Sequence, residues 1–128
     1  VLSPYTAAPQ QGAGKTTISG PEILSGANAA SNLALLLHEF ATNAAKYGAL
    51  SRAGGRVNVD WLVENGQLRL TWSERGGPNL AHAPDFHGFG TRLIDRVLAD
   101  AFGGEIVRDW AREGLTIRLS VPTDRLRD

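Results

Sequence analysis

The stretch from Leu33 to Tyr47 carries apolar and reactive side chains on two adjacent faces of one predicted helix. With successive residues turned by about 100°, Glu39, Asn43 and Lys46 fall within about 60° of one another, and Tyr47 lies at the margin. The apolar face beside them consists of Leu33, Leu36, Leu37, Phe40 and Ala44. Such a helix faces a core on one side and presents a carboxylate, a carboxamide and an ammonium along its edge.

This polar stripe has two interpretations at this point. Hard cations prefer oxygen ligands such as those of Glu39 and Asn43, and an anionic phosphate suits the ammonium of Lys46. The stripe would then hold a metal–nucleotide pair. The same spacing is also that of an ordinary solvated helix face, which is the commoner case when a Glu and a Lys lie seven residues apart on a helix.

The composition is that of one domain, because 128 residues with ordinary globular content can bury a proper core. The formal net charge is zero, so no overall basic field favours nucleic acid or an anionic membrane. The absence of cysteine excludes disulfides, thiol nucleophiles and thiolate metal sites, and it fits a reducing compartment. No bilayer-length apolar run and no signal-peptide pattern occur. Because the chain starts at Val1 without a methionine, we expect a fragment of a longer protein.

Apolar periodicity predicts the element order β, α, β, β, loop, α, β, β. The segments that alternate or favour strands are residues 16–19, 56–63, 67–72, 105–110 and 115–121. The first helix is expected to run to about Tyr47 and to stop at Gly48. The second is expected to start at about Thr91 and to stop at the pair Gly103-Gly104.

Turn and cap residues indicate how these elements are connected. Ser25 or Asn28 is the expected N-terminal cap of the first helix. Glu64-Asn65-Gly66 predicts a hairpin turn, and hairpins favour antiparallel pairing. Two amphipathic helices can cover one face of such a sheet. The expected fold class is therefore α/β, a two-layer α/β sandwich with a mixed, mostly antiparallel sheet covered on one face by helices.

Two further segments carry weak signals for chemistry. Trp72-Ser73-Glu74-Arg75-Gly76-Gly77-Pro78 places an acid just past a strand and before two glycines. A carboxylate there can accept a hydrogen bond from the exocyclic amine of a purine, although a polar strand end is the commoner meaning, and Trp72 is expected to pack. Gly88-Phe89-Gly90-Thr91 opens the second helix, where glycines and a helix N-terminus suit a phosphate or simply form a turn and cap.

Two other patterns are rejected as sites. Gly12-Ala13-Gly14-Lys15-Thr16-Thr17 resembles the end of a P-loop, but Pro9 stands where the first glycine is required and no apolar strand precedes it. His82, Asp85 and His87 lie in a stretch, residues 74–87, that reads as a mobile loop. We interpret these three side chains as exposed loop polarity, not as a zinc site.

The helix stripe, the acid–glycine turn and the glycines before the second helix, in this order, resemble the GHKL ATP-binding fold that DNA gyrase shares with histidine kinases. The closer resemblance is to the HWE family of bacterial sensor histidine kinases, whose N-box is similar to the run from His38 to Ser51. The matching run is His38-Glu39-x-Ala41-Thr42-Asn43-Ala44-x-Lys46-Tyr47-Gly48-Ala49-Leu50-Ser51. The name-giving residues correspond to His38 and to the pair Trp72 and Glu74. The resemblance covers the chain from about Leu2 to Pro122.

This resemblance implies a site for ATP and Mg²⁺. Asn43 would coordinate Mg²⁺ at the ATP phosphates, with Glu39 nearby. Lys46 would meet a phosphate, and Tyr47 would pack at the nucleotide. Glu74 would read the adenine amine where most histidine kinases have an aspartate. The implied catalytic residues are Glu39, Asn43 and Lys46, the implied metal ligands are Asn43 and Glu39, and the implied nucleotide-binding residues are Asn43, Lys46, Tyr47, Glu74, Gly76, Gly88, Phe89, Gly90, Thr91 and Thr116.

The resemblance also implies an organisation of the whole protein. Residues 1–15 would be a linker from a helical dimerisation and phosphoacceptor domain, residues 16–128 the catalytic and ATP-binding domain, and residues 77–87 a short ATP lid. The isolated domain would be a cytoplasmic, bacterial, monomeric kinase module with little turnover alone. It would donate the γ-phosphoryl of Mg-ATP to a histidine on the separate domain, with a response regulator downstream and no nucleic acid or membrane contact.

Two alternatives to an active kinase module stay open. One is a catalytically silent GHKL nucleotide-binding module that acts on a partner by lid closure, which the intact Glu39, Asn43 and Lys46 disfavour. The other, weaker, is a GHKL ATPase outside signalling.

Overall fold

The computed structural model describes residues 16–78 and 89–127, with residues 89–91 described by their backbone alone. Within these residues, five strands form one sheet: β1 (Thr16–Ser19), β2 (Arg56–Glu64), β3 (Gln67–Arg75), β4 (Glu105–Ala111) and β5 (Gly114–Pro122). The helices are α1 (Ala27–Tyr47) and α2 (Phe89–Val97), with a π-helical turn at Leu98–Phe102 and 3₁₀ turns at Ala49–Ser51 and Thr123–Leu126. The predicted order of elements is confirmed. No helix in the described part of the chain is long and apolar enough to cross a membrane.

The sheet is mixed and mostly antiparallel, as expected. Its strand order is β1-β2-β3-β5-β4. β1 runs parallel to β2, and the other neighbouring strands are antiparallel. The hairpin turn between β2 and β3 is confirmed, because Asn65 and Gly66 have φ angles of 53° and 73°, which suit a tight two-residue connection.

Apolar side chains of α1 and of one sheet face form the core. The register places Trp72 between Val59 on β2 and Ile117 on β5. The ring of Phe40, from α1, lies 5.5 Å from the ring of Trp72. The buried residues of α1 are Ala29, Leu33, Leu36, Phe40 and Ala44. The predicted apolar face is therefore confirmed apart from Leu37, which is half-buried at its flank. The two-layer α/β prediction is confirmed with it.

The ends of α1 follow the prediction at one terminus only. Gly48 ends the helix, and its N–H donates to the carbonyl of Ala44 at 3.0 Å. The predicted cap at Ser25 or Asn28 is wrong, because Gly26 occupies the cap position and no side chain caps the helix. The N–H of Gly26 instead donates to the carbonyl of Leu126 at 2.8 Å, so a tertiary contact fixes the entry of the chain into the helix.

β3 extends three residues beyond its predicted end at Trp72. The sequence places Glu74 and Arg75 in a loop, but they pair with Val57 and Arg56 on β2 and belong to the sheet. The strand continues this far because β2 itself begins at Arg56, so Arg56 and Val57 lie opposite these two residues and pair with them. This correction places Glu74 in a rigid element and gives its side chain a defined face.

Candidate functional site

The carboxylate of Glu74 lies near the end of β3, on the sheet face that α1 covers, and only 4% of the residue is exposed. The two-residue period of a strand puts it on the same face as Trp72. Glu74 Oε1 accepts a hydrogen bond from the backbone N–H of Ala49 at 3.1 Å. Glu74 Oε2 accepts one from the indole N–H of Trp72 at 2.8 Å. Donors from two different elements therefore hold this buried carboxylate.

Burial and hydrogen bonding act on Glu74 in opposite directions. Burial disfavours the charged form and raises the pKa of the Glu74 carboxyl above its ordinary value. The hydrogen bonds from Ala49 and Trp72 lower the pKa, but the effect of burial is larger. A buried carboxyl with a perturbed pKa and fixed partners is typical of functional sites.

Glycines allow close backbone packing around the end of β3, and one of them lies directly against this carboxylate. A β-carbon at Gly48 would overlap with Glu74 Oε1. One at Gly77 would lie 2.7 Å from the backbone of the 3₁₀ turn that follows α1. Gly76 has a φ angle of 79°, and its β-carbon would lie 2.5 Å from the carbonyl oxygen of Gly54. Both the left-handed conformation and the lack of space require glycine at residue 76.

α1 brings the polar stripe to the same corner of the molecule. Glu39 and Asn43 are half-buried, whereas Lys46 is exposed and Tyr47 is 48% exposed. The stripe therefore runs along the margin of the packed face and is not a wholly solvated surface. The last turn of α1 continues directly into the 3₁₀ turn whose first N–H binds Glu74.

Thr116 is not brought to Glu74. It lies directly opposite Ser73 on β3, one residue out of phase with Glu74, so its side chain is on the other face of the sheet. There the guanidinium of Arg75 approaches its hydroxyl at 3.5 Å. The residue of β5 that lies beside Glu74 on its face of the sheet is Leu115, which is 8% exposed.

The other predicted nucleotide contacts lie either outside the described residues or in the part of α2 that is described by its backbone alone. Gly88, the lid residues from 79 onwards and the cluster of His82, Asp85 and His87 lie outside the described residues. Phe89, Gly90 and Thr91 form the first turn of α2, described by its backbone. Residues 1–15, which include most of the P-loop-like run, also lie outside the described residues. The last two residues of that run, Thr16 and Thr17, are the first two of β1.

The sequence is similar to proteins that are named histidine kinases. The chain is 42% identical over 124 residues, 95% of its length, to blue-light-activated histidine kinase 1 of Erythrobacter litoralis. It is 35% identical over 114 residues, 86% of its length, to the blue-light-activated histidine kinase of Brucella ovis. This chain is a histidine kinase catalytic domain of the HWE type. It spans 33% and 23% of the lengths of these two relatives, and no protein-family model matches it.

Solved structures agree on the fold of this HWE-type domain. The histidine kinase domain of the Erythrobacter litoralis EL346 blue-light activated histidine kinase superimposes with a TM-score of 0.79 at 21% identity, covering 98% of this chain and 60% of that one. Full-length ShkA in complex with AMPPNP superimposes with a TM-score of 0.64 at 18% identity, covering 94% of this chain and 28% of that one. The fold is therefore that of histidine kinase catalytic domains.

His38, a name-giving residue of the HWE type, lies on the other flank of α1. Its side chain lines a cavity of about 230 Å³ between α1 and the first strands of the sheet. Most of the lining is apolar, including Ile18, Ala41 and Trp61. The structure therefore places His38 away from the polar stripe.

Sequence reasoning missed three residues at the Glu74 corner of the HWE-type domain. Trp72 was expected only to pack, although its spacing of two from Glu74 on a strand is a signal that their side chains are neighbours. The N–H of Ala49 and the side chain of Leu115 carry no comparable signal. Their approach depends on how α1 and β5 pack against β3.

Proposed function

We propose that this domain binds Mg-ATP at the corner formed by the end of α1 and the end of β3, and that it donates the γ-phosphoryl to a histidine on a separate domain. The observation that carries the proposal is the buried carboxylate of Glu74. Two donors hold it beside the last turn of α1. A buried acceptor of this kind suits the exocyclic amine of adenine.

The residues of α1 then take the phosphate end of the nucleotide. Asn43 and Glu39 offer oxygen ligands for Mg²⁺, and they are half-buried at the edge of the core. Lys46 is exposed and free to reach a phosphate, and Tyr47 packs at the nucleotide. No group of three or more His, Cys, Asp or Glu side chains suited to a metal occurs within residues 16–78 and 89–127, so the ion would share its coordination with the phosphates.

Glycines and a helix N-terminus complete the proposed nucleotide site. Gly76 lets the chain turn directly after β3 against the carbonyl of Gly54, which keeps the turn close to the end of the strand that carries Glu74. Phe89, Gly90 and Thr91 form the first turn of α2, where backbone N–H groups favour an anion, and Gly88 comes just before them in the sequence. The proposal gives no direct contact with the base to Thr116, because its side chain lies on the opposite face of the sheet from Glu74.

The reaction itself demands positioning and charge neutralisation more than covalent chemistry by the protein. The nucleophilic imidazole belongs to a separate dimerisation and phosphoacceptor domain, and a response regulator receives the phosphoryl group afterwards. The module works in the bacterial cytoplasm and turns over little alone. Support comes from the names of the relatives and from the AMPPNP that a structural neighbour holds.

Nucleotide titration with and without Mg²⁺ tests the metal role of Asn43. Asn43→Ala is expected to lose most of the Mg²⁺-dependent part of the affinity for ATP. Asn28→Ala is the matched control, because it makes the same change in the first turn of the same helix, about 22 Å away at 1.5 Å per residue. Equal Mg-ATP affinity in the parent and Asn43→Ala would exclude Asn43 as the metal ligand.

A transfer assay separates the kinase from a silent nucleotide-binding module that acts by lid closure. The domain is incubated with γ-labelled ATP and the phosphoacceptor domain of its own parent protein. Label that appears on histidine supports phosphoryl transfer. Nucleotide binding without labelling favours the silent module.

A further inference from the structure

Trp72 presents its indole N–H to Glu74 from a fixed position. The residue is only 4% exposed and lies between Val59 and Ile117 in the sheet. The ring of Phe40 packs on it at a tilt of 59°. Because these neighbours enclose the ring, the direction of the N–H is set by the core and not by the carboxylate.

The two partners of the Glu74 carboxylate can donate hydrogen bonds but cannot accept them. An indole N–H and a backbone N–H have no lone pair to offer. Trp72 occupies a lone pair of Oε2, and Ala49 occupies one of Oε1. A proton at either position would set a donor against a donor. Both contacts therefore favour a carboxylate that accepts hydrogen bonds.

The charged neighbours do not replace this pair of donors. The guanidinium of Arg75 donates to the backbone carbonyl of Glu74 at 2.7 Å and reaches toward the other sheet face. Lys46 and Tyr47, the titratable residues of the last turn of α1, are exposed. The residues directly beside Glu74 on its sheet face are Val57 on β2 and Leu115 on β5, and both are apolar.

We propose that Trp72 is a positioning residue that keeps Glu74 an acceptor, and that this makes the pocket select adenine over guanine. The inference rests on the nucleotide site proposed above. Adenine presents an amino donor at the position where guanine presents a carbonyl acceptor. An ionised Glu74 accepts from the first and repels the second, whereas a protonated Glu74 can donate to the guanine carbonyl.

Trp72→Phe keeps the aromatic ring and removes the N–H. Its matched control is Trp61→Phe, because Trp61 is 6% exposed, lies on the same sheet face, and donates its indole N–H to the carbonyl of Pro21 at 2.7 Å. Both variants lose one indole hydrogen bond, but only Trp72→Phe loses a contact with Glu74. Thermal unfolding of both variants measures the structural cost that they share.

The affinities for Mg-ATP and Mg-GTP are measured for the parent and both variants across a range of pH. Trp72→Phe is expected to lower the ATP-to-GTP affinity ratio about tenfold, which is typical of one hydrogen bond to a charged group. The pH below which ATP binding is lost should rise, since removal of the N–H raises the pKa of Glu74. Trp61→Phe should leave both the ratio and the pH profile as in the parent.

The outcomes separate this inference from the proposed function. An unchanged ratio and an unchanged pH profile in Trp72→Phe would overturn the role of Trp72 while the ATP site stands. Parallel changes in both indole variants would also overturn it, because they would reflect a general loss of packing. A parent domain that binds neither nucleotide would overturn the proposed function itself.

Discussion

Gly48 and Glu74 are in contact so close that a β-carbon at residue 48 would overlap with Glu74 Oε1. The φ angle of Gly48 is −118°, which other residues also adopt, so space and not backbone strain requires the glycine. We therefore expect Gly48→Ala to displace the carboxylate. The variant should lose about 1–3 kcal/mol of stability, as overpacking of a close contact does, and should bind ATP more weakly.

Chemical denaturation and nucleotide titration measure these two effects. Gly54→Ala is the control, because its β-carbon would meet nothing within 4 Å. It should match the parent in both assays. A Gly48→Ala variant with parental stability and ATP affinity would show that the carboxylate has room to move.

Glu74→Gln is expected to change how stability depends on pH. The folded carboxyl has a pKa above its ordinary value of 4.5, because burial raises it. Between the two pKa values the folded state binds the proton more tightly than the unfolded state does, so parental stability falls as pH rises through this interval. The stability of Glu74→Gln relative to the parent should therefore increase from below pH 4.5 upward and level off above the folded pKa.

Urea denaturation of both proteins at a series of pH values follows this difference. Glu64→Gln is the control, because Glu64 is an exposed carboxyl at the end of β2. Its stability relative to the parent should not show the same rise. A stability difference between Glu74→Gln and the parent that stays constant with pH would mean that burial does not raise the pKa of the Glu74 carboxyl.

The sequence predicted the elements of this fold because each carries its own period. The stripe of α1 repeats at the helical spacing, and β2 and β3 alternate on either side of Asn65-Gly66. The length of β3 was underestimated, because Glu74 and Arg75 are strand residues only through their pairing with β2. A polar strand end next to glycines has no local mark that distinguishes it from a loop.

The candidate site was predictable to the extent that its residues are close in sequence. The sequence indicates Glu74 as a candidate acceptor for the purine amine. It does not indicate the hydrogen-bond partner Ala49, which lies 25 residues away along the chain. Thr116 is a second case in which the sequence does not indicate which residues meet in the fold. One residue of register decides whether it or Leu115 faces Glu74, and the sequence does not contain that register.

Lys46→Ala is expected to separate phosphate binding from base binding. Lys46 is exposed, so its loss should leave the stability of the domain within about 0.5 kcal/mol of the parent. The affinity for ATP should fall several-fold, whereas the affinity for adenosine should not change, because only ATP offers a phosphate to the ammonium. Calorimetric titration with both ligands measures this. Arg118→Ala, which removes a positive charge from the other face of the sheet, should affect neither ligand.

The cavity beside His38 offers room that a larger side chain at Ala41 can fill. It measures about 230 Å³ and has mostly apolar walls, to which Ala41 contributes from α1. Ala41→Leu is expected to stabilise the domain by about 1 kcal/mol, since the larger side chain would gain apolar contacts with little loss of helix propensity. Ala45→Leu makes the same change at an exposed residue of α1 and should leave the unfolding midpoint unchanged. A lower midpoint in Ala41→Leu would mean that the walls are too rigid to accept the larger side chain.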